Sequence, residues 1–180
     1  MNNYFEYSSN AINTNEYVKL EKDDKRKFTF SNSVNMKPND VFALARAFLS
    51  IAPMTHKKLE KLCYYAKAWY LAIYDRNLIS EPFEAWVHGA VQPKLYKKYK
   101  VYGFSDIPKE HNITNIPEEF ISFANEIYSA YGHLSGDELE RLNHMERPWK
   151  EARGDCKPWE NCNSIITEDS MRYFYRERLK

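Results

Sequence analysis

The stretch from His56 to Tyr74 constrains this chain more than any other, because it reads as one long helix that is apolar on two faces. Thr55 supplies an oxygen for its N-cap. Leu59, Leu62, Cys63, Ala66, Tyr70 and Ile73 recur at helical spacing and form the main stripe. Through its later half Tyr64, Tyr65, Ala68, Leu71 and Ala72 make the other face apolar too. Such a helix needs neighbours on both sides. It is expected at the centre of the fold, with other helices around it.

The flanking segments supply those neighbours. Asn39 or Asp40 is placed to cap a helix whose Val41, Leu44, Ala45 and Phe48 share a face, and Pro53 stops it. Pro82, Gly89 and Pro93 make Leu78 to Pro93 irregular, with Phe83 to Val87 as a short extended piece. Pro93 suits the first position of a helix carrying Leu95, Tyr96 and Tyr99 inward and Lys94, Lys97 and Lys98 outward, closed by Gly103. Phe120, Phe123, Ala124, Ile127 and Tyr131 stripe a helix from about Pro117 that Gly132 ends. Ser135-x-x-Glu138 is a capping box opening a helix toward His144. Pro148 opens a short turn carrying Trp149, and Gly154 to Ser164 is a loop. Thr167 caps a last helix with Met171, Phe174, Tyr175 and Leu179 inward. The expected fold is mainly α: a compact domain of six or seven helices over residues 37–180. Residues 1–36 are polar and Asn-rich, and read either as a small β-hairpin around Asp23-Asp24 or as a disordered arm.

A 180-residue chain can bury a core without disulfides or a structural metal. Three cysteines, an odd number without a CxxC pair, speak against a disulfide framework and for a reducing cytosol. Cys63 is expected buried and inert, and Cys156 and Cys162 as free loop thiols. The polar start of the chain lacks a signal-peptide apolar region, and no apolar run approaches a membrane span, so a cytoplasmic protein is expected. A net charge of +1 gives no general attraction to nucleic acid.

Three segments carry a resemblance. The first runs Met54-Thr55-His56-Lys57-Lys58-Leu59-Glu60-Lys61-Leu62-Cys63-Tyr64-Tyr65-Ala66-Lys67-Ala68-Trp69-Tyr70-Leu71. The second is Glu84-Ala85-Trp86-Val87-His88-Gly89-Ala90-Val91-Gln92-Pro93, and the third places Leu139, Leu142, Asn143, His144, Glu146, Pro148, Trp149, Ala152 and Arg153 in order. Together they resemble the Panacea, or SocA-like, antitoxin family, first described as phage-associated proteins of unknown function. The chain departs from that pattern at Ala90, where Pro is usual, and at Asn143, where Thr is usual. The resemblance covers Pro38 onward and implies an antitoxin that meets a toxin protein. Family members are similar either to antitoxins that neutralise by direct contact or to an adaptor that delivers its toxin to a ClpXP protease.

The same segments hold groups with chemical potential. Glu84, Trp86 and His88, and His144, Glu146 and Trp149, bring carboxylates near imidazoles, but their spacing matches no metal or acid–base motif. No nucleophile elbow or Gly-rich phosphate loop is visible among the five glycines. The expectation is a chain without catalytic residue, cofactor or metal. His88 and His144 are expected as buried, hydrogen-bonded rings fixing loops to the long helix. Trp86 and Trp149 are expected to pin loops to the core, and Gly89 to allow positive φ or close backbone approach. Lys94, Lys97 and Lys98 read as a solvated face, with nucleic-acid contact and transcriptional regulation the sharper alternative. Lys57, Lys58 and Lys61 sit where the helix dipole does not favour positive charge, which points them toward an acidic partner surface.

Overall fold

The computed structural model describes residues 40–179. The expected hairpin or arm at residues 1–36 lies outside them. Helix α1 (Val41–Ile51) begins on Asp40, whose side chain accepts the Phe42 N–H. Strand β1 (Met54–Thr55) leads into α2 (His56–Tyr74), where the Thr55 hydroxyl accepts from the Lys58 amide. Next come β2 (Phe83–Trp86), β3 (Gly89–Val91) and α3 (Pro93–Tyr99), which runs into a 3-10 turn at Lys100–Tyr102. After β4 (Asp106–Ile107) the chain forms α4 (Glu118–Tyr131), α5 (Gly136–Met145) and α6 (Arg147–Arg153), then β5 (Ile165–Ile166) and α7 (Glu168–Arg176). Among the described residues the fold is mainly α, with two small antiparallel sheets: β1 on β4, and β3-β2-β5.

Helix α2 is the hub, and it is more enclosed than its sequence pattern required. Every residue from Leu59 to Ala72 is buried, including Glu60, Lys61 and Lys67. α7 lies along it, α1, α4 and α5 cover other sides, and the β2–β3 hairpin crosses it. Large aromatic rings fill much of the interior. Tyr65 stacks on Tyr131 at 4.4 Å, Trp69 meets Tyr175 edge-on at 5.0 Å, and the Trp69 indole N–H donates to the Tyr131 hydroxyl at 2.8 Å.

Two details differ from the sequence expectation. Ile73, placed on the inner stripe, is 37% exposed, although α7 reaches the same turn through Arg176 on the Ala72 carbonyl. Pro148 and Trp149 lie in the seven-residue α6 and not in a simple turn, since proline is well accommodated in the first turn of a helix. The capping box at Ser135 and Glu138 forms in both directions: the hydroxyl accepts the Glu138 amide and the carboxylate accepts the Ser135 amide.

Candidate functional site

The three motif segments converge on one side of α2. Register in the β2–β3 hairpin pairs Glu84 with Val91, Ala85 with Ala90 and Trp86 with Gly89, leaving Val87 and His88 as a two-residue turn. Gly89 has φ +90, and a Cβ there would sit 2.8 Å from Lys61 Cε and 2.9 Å from Asn143 Oδ1. The absence of a side chain therefore lets the hairpin press against α2 and α5 together.

That approach is stitched by side chains reaching for backbone. The buried Lys61 ammonium donates to the Ala90 carbonyl at 2.8 Å. Asn143, fully buried on α5, accepts the Ala90 N–H at 2.6 Å. Glu60 accepts the Gln92 N–H at 2.8 Å, and the Gln92 side chain in turn caps α3 by accepting from Lys94 and Leu95. Trp149 donates its indole N–H to the Trp86 carbonyl at 3.0 Å, and Arg153 donates to the Ala85 carbonyl at 3.1 Å. The hairpin is thus held from α2, α5 and α6 at once.

Burial governs the ionisable groups. It pushes Glu60 up to about 8 and Lys61 down to about 8, each opposed by the other's charge. It raises Glu146 to about 7 against hydrogen bonds from Tyr175, at 2.7 Å, and Asn143, at 3.3 Å. Burial also holds the His144 ring below its ordinary value; that ring bonds the Val87 backbone and stacks on Trp149 at 4.2 Å. For Glu140, burial acts upward, but hydrogen bonds from Lys57 and His88 outweigh it and hold the carboxyl low.

The family model for the SocA-like antitoxin, Panacea domain, matches residues 59–150. The chain belongs to this family. No curated protein and no solved structure matches significantly. The matched stretch of the Panacea domain begins inside α2 and ends inside α6, and so contains all of this stitching except the bonds of Arg153. Its two departures from the family pattern touch each other. Proline has no N–H, so a Pro at position 90 would leave the Asn143 oxygen without its donor; the chain carries Ala and Asn together.

The motif residues sort by depth. Leu59, Tyr64, Tyr65, Trp69, Pro148 and Trp149 are buried in the Panacea core, and Thr55 and Pro93 begin helices. Trp149 pins the hairpin. Trp86 is only half buried: its N–H bonds Glu84 at 2.7 Å, and its ring meets Tyr96 edge-on at 5.0 Å. With Val87, His88, Tyr96, Trp159, Asn161, Cys162 and Asn163 it lines an open groove of about 730 Å³. His88 is not the buried ring expected. Its side chain is 73% exposed, because it occupies the hairpin turn, and Nδ1 lies 3.2 Å from Glu140. Lys61 does not face outward, since its place on the Tyr64–Tyr65 face of α2 buries it. Lys57 is engaged at 2.8 Å with both Asp137 and Glu140, and Lys58 donates to the Gly132 carbonyl at 2.7 Å. Lys94, Lys97 and Lys98 lie on the exposed side of α3, with Lys94 3.7 Å from Glu81. Cys63 is buried and Cys162 is buried beside Cys156, both thiols free.

Sequence reasoning passed over Glu60, Asn143, Glu146 and Arg153 as structural centres. A signal was present for Lys61: it lies three and four residues before Tyr64 and Tyr65, on their helix face. Among the described residues no cluster of three or more His, Cys, Asp or Glu side chains is placed to hold a metal, and no helix is long and apolar enough to cross a membrane.

Proposed function

We propose that this Panacea domain is the antitoxin of a toxin–antitoxin pair, that it neutralises its toxin by direct binding in the cytoplasm, and that it performs no catalysis. Family membership supports the toxin-related role. The observation that carries the direct-binding reading is the occupation of the motif's polar groups. Lys61, Asn143, Trp149 and Arg153 hold backbone groups of the β2–β3 hairpin, and Glu60 holds the amide just beyond it. Groups committed in this way set the shape of a platform and are not presented to a reacting molecule.

The test is co-expression with the product of the neighbouring gene. Growth arrest by that product alone, relief when this chain is present, and relief that persists in cells lacking ClpXP are the expected results. Relief that vanishes without the protease would replace direct neutralisation with delivery for degradation. A neighbouring product that is harmless, or that stays toxic, would remove the antitoxin reading.

A further inference from the structure

Between α3 and β4 the chain turns outward. All six residues from Val101 to Asp106 are exposed, and three of them are large and apolar: Val101 at 81%, Tyr102 at 37% and Phe104 at 101%. The tip is nevertheless built. Gly103 N–H donates to the Lys100 carbonyl at 3.1 Å and Ser105 N–H to the Tyr102 carbonyl at 2.9 Å, Gly103 takes φ +55, and β4 pairs on β1 immediately afterwards. A folded turn that holds Phe104 clear of every other side chain is the reverse of what the hydrophobic effect favours in an isolated molecule.

Charge narrows the occupant. Lys97, Lys98 and Lys100 precede the tip and Lys109 follows it, all exposed, and none forms an ion pair among the described residues. The nearby Glu110 is engaged with Arg46 at 3.0 Å. Lys98 and Lys100 lie over aromatic rings, at 4.6 Å from Phe42 and 5.8 Å from Tyr96, which fixes their positions while their charge stays exposed. An apolar anchor flanked by four exposed lysines, which outnumber the one exposed carboxylate of the tip, Asp106, complements a pocket with an apolar floor and an acidic rim. A phosphate backbone would engage the lysines and leave Val101 and Phe104 in water.

We infer that the Val101–Phe104 tip and its flanking lysines form the surface that docks the toxin, through an acid-rimmed apolar pocket on that protein. This rests on the antitoxin reading above. The anchor residues supply affinity and the lysines speed the encounter.

The experiment uses the full chain and the toxic neighbouring-gene product. Val101→Ser with Phe104→Ser removes only exposed apolar groups, so the circular dichroism and melting of the chain stay as in the unaltered protein. Affinity for the toxin falls about thirty-fold or more. Lys97→Gln with Lys98→Gln and Lys100→Gln slows association and flattens its salt dependence. A photoreactive benzoylphenylalanine in place of Phe104 crosslinks to the toxin in cells. Unchanged affinity in a folded Val101→Ser, Phe104→Ser variant overturns the tip assignment and leaves the antitoxin reading standing. Crosslinks only to a second copy, to residues 1–39, to lipid or to nucleic acid overturn it as well. Failure of the unaltered chain to bind or neutralise the toxin overturns both.

Discussion

Gly89 and Glu146 show how single residues hold the Panacea scaffold. At Gly89 two demands coincide: a backbone at φ +90 and contact with Lys61 and Asn143 inside 3 Å of where a Cβ would be. Gly89→Ala therefore destabilises the domain by about 2 kcal/mol or more, read from urea unfolding. A loss below about half a kcal/mol would mean that the hairpin shifts freely on α2. Glu146 makes a different forecast. Its carboxyl is raised from 4.5 to about 7 by burial, so the folded state holds a proton that the unfolded state releases. The stability it contributes is present below pH 4.5 and is lost as pH rises through about 7. Glu146→Gln keeps an oxygen for Tyr175 and Asn143 and removes the titration. Relative to the variant, the unaltered protein should lose on the order of 3 kcal/mol between those limits. Parallel stability–pH curves for the two proteins would contradict this assignment.

At the scale of elements, Thr55, Asp40, Ser135 and Thr167 cap helices where their spacing to apolar stripes placed them. Caps and stripes are local signals, and six of the seven helices among the described residues follow from them; α6 has no side-chain cap and reads in the sequence as a turn. The short strands β1, β4 and β5 were not legible, because two-residue pairings are made by distant partners and leave no periodicity of their own. His88 was misplaced for a related reason: nothing in Val87-His88 marks a two-residue hairpin turn, which usually carries Gly or Asn. The motif order revealed the family, but not that Ala90 and Asn143 touch. That contact gives a double-mutant test. Ala90→Pro removes the donor to Asn143, and Asn143→Thr removes its amide; each should cost about 1–3 kcal/mol by leaving a buried group unpaired. The double variant loses both ends of one hydrogen bond and should cost less than the two losses added. Strict additivity in thermal or urea melts would show that the positions do not communicate.

For the whole molecule, the stretch matched by the family model leaves out elements that pack directly on it. Residues 59–150 omit α1, β1, the first turn of α2, the end of α6, β5 and α7. Yet α7 lies along α2 over its aromatic face, and Tyr175 makes edge contacts with Tyr64, Tyr65 and Trp69. It also brings its hydroxyl to Glu146. Beyond the core, Arg172 and Arg176 pair with Asp75 at 2.8 and 3.1 Å, and Arg176 donates to the Ala72 carbonyl, so α7 also closes the far end of α2. Removing α1 and α7 would expose a helix that is apolar on two faces and strand a buried carboxylate, losses that the remaining helices cannot offset. A fragment of residues 59–150 should therefore lack a cooperative melting transition and bind hydrophobic dye, whereas residues 40–180 should melt in one sharp step. A sharp two-state transition in the shorter fragment would show instead that α2 needs cover on only one side, and α2 could then no longer be regarded as the hub of the fold.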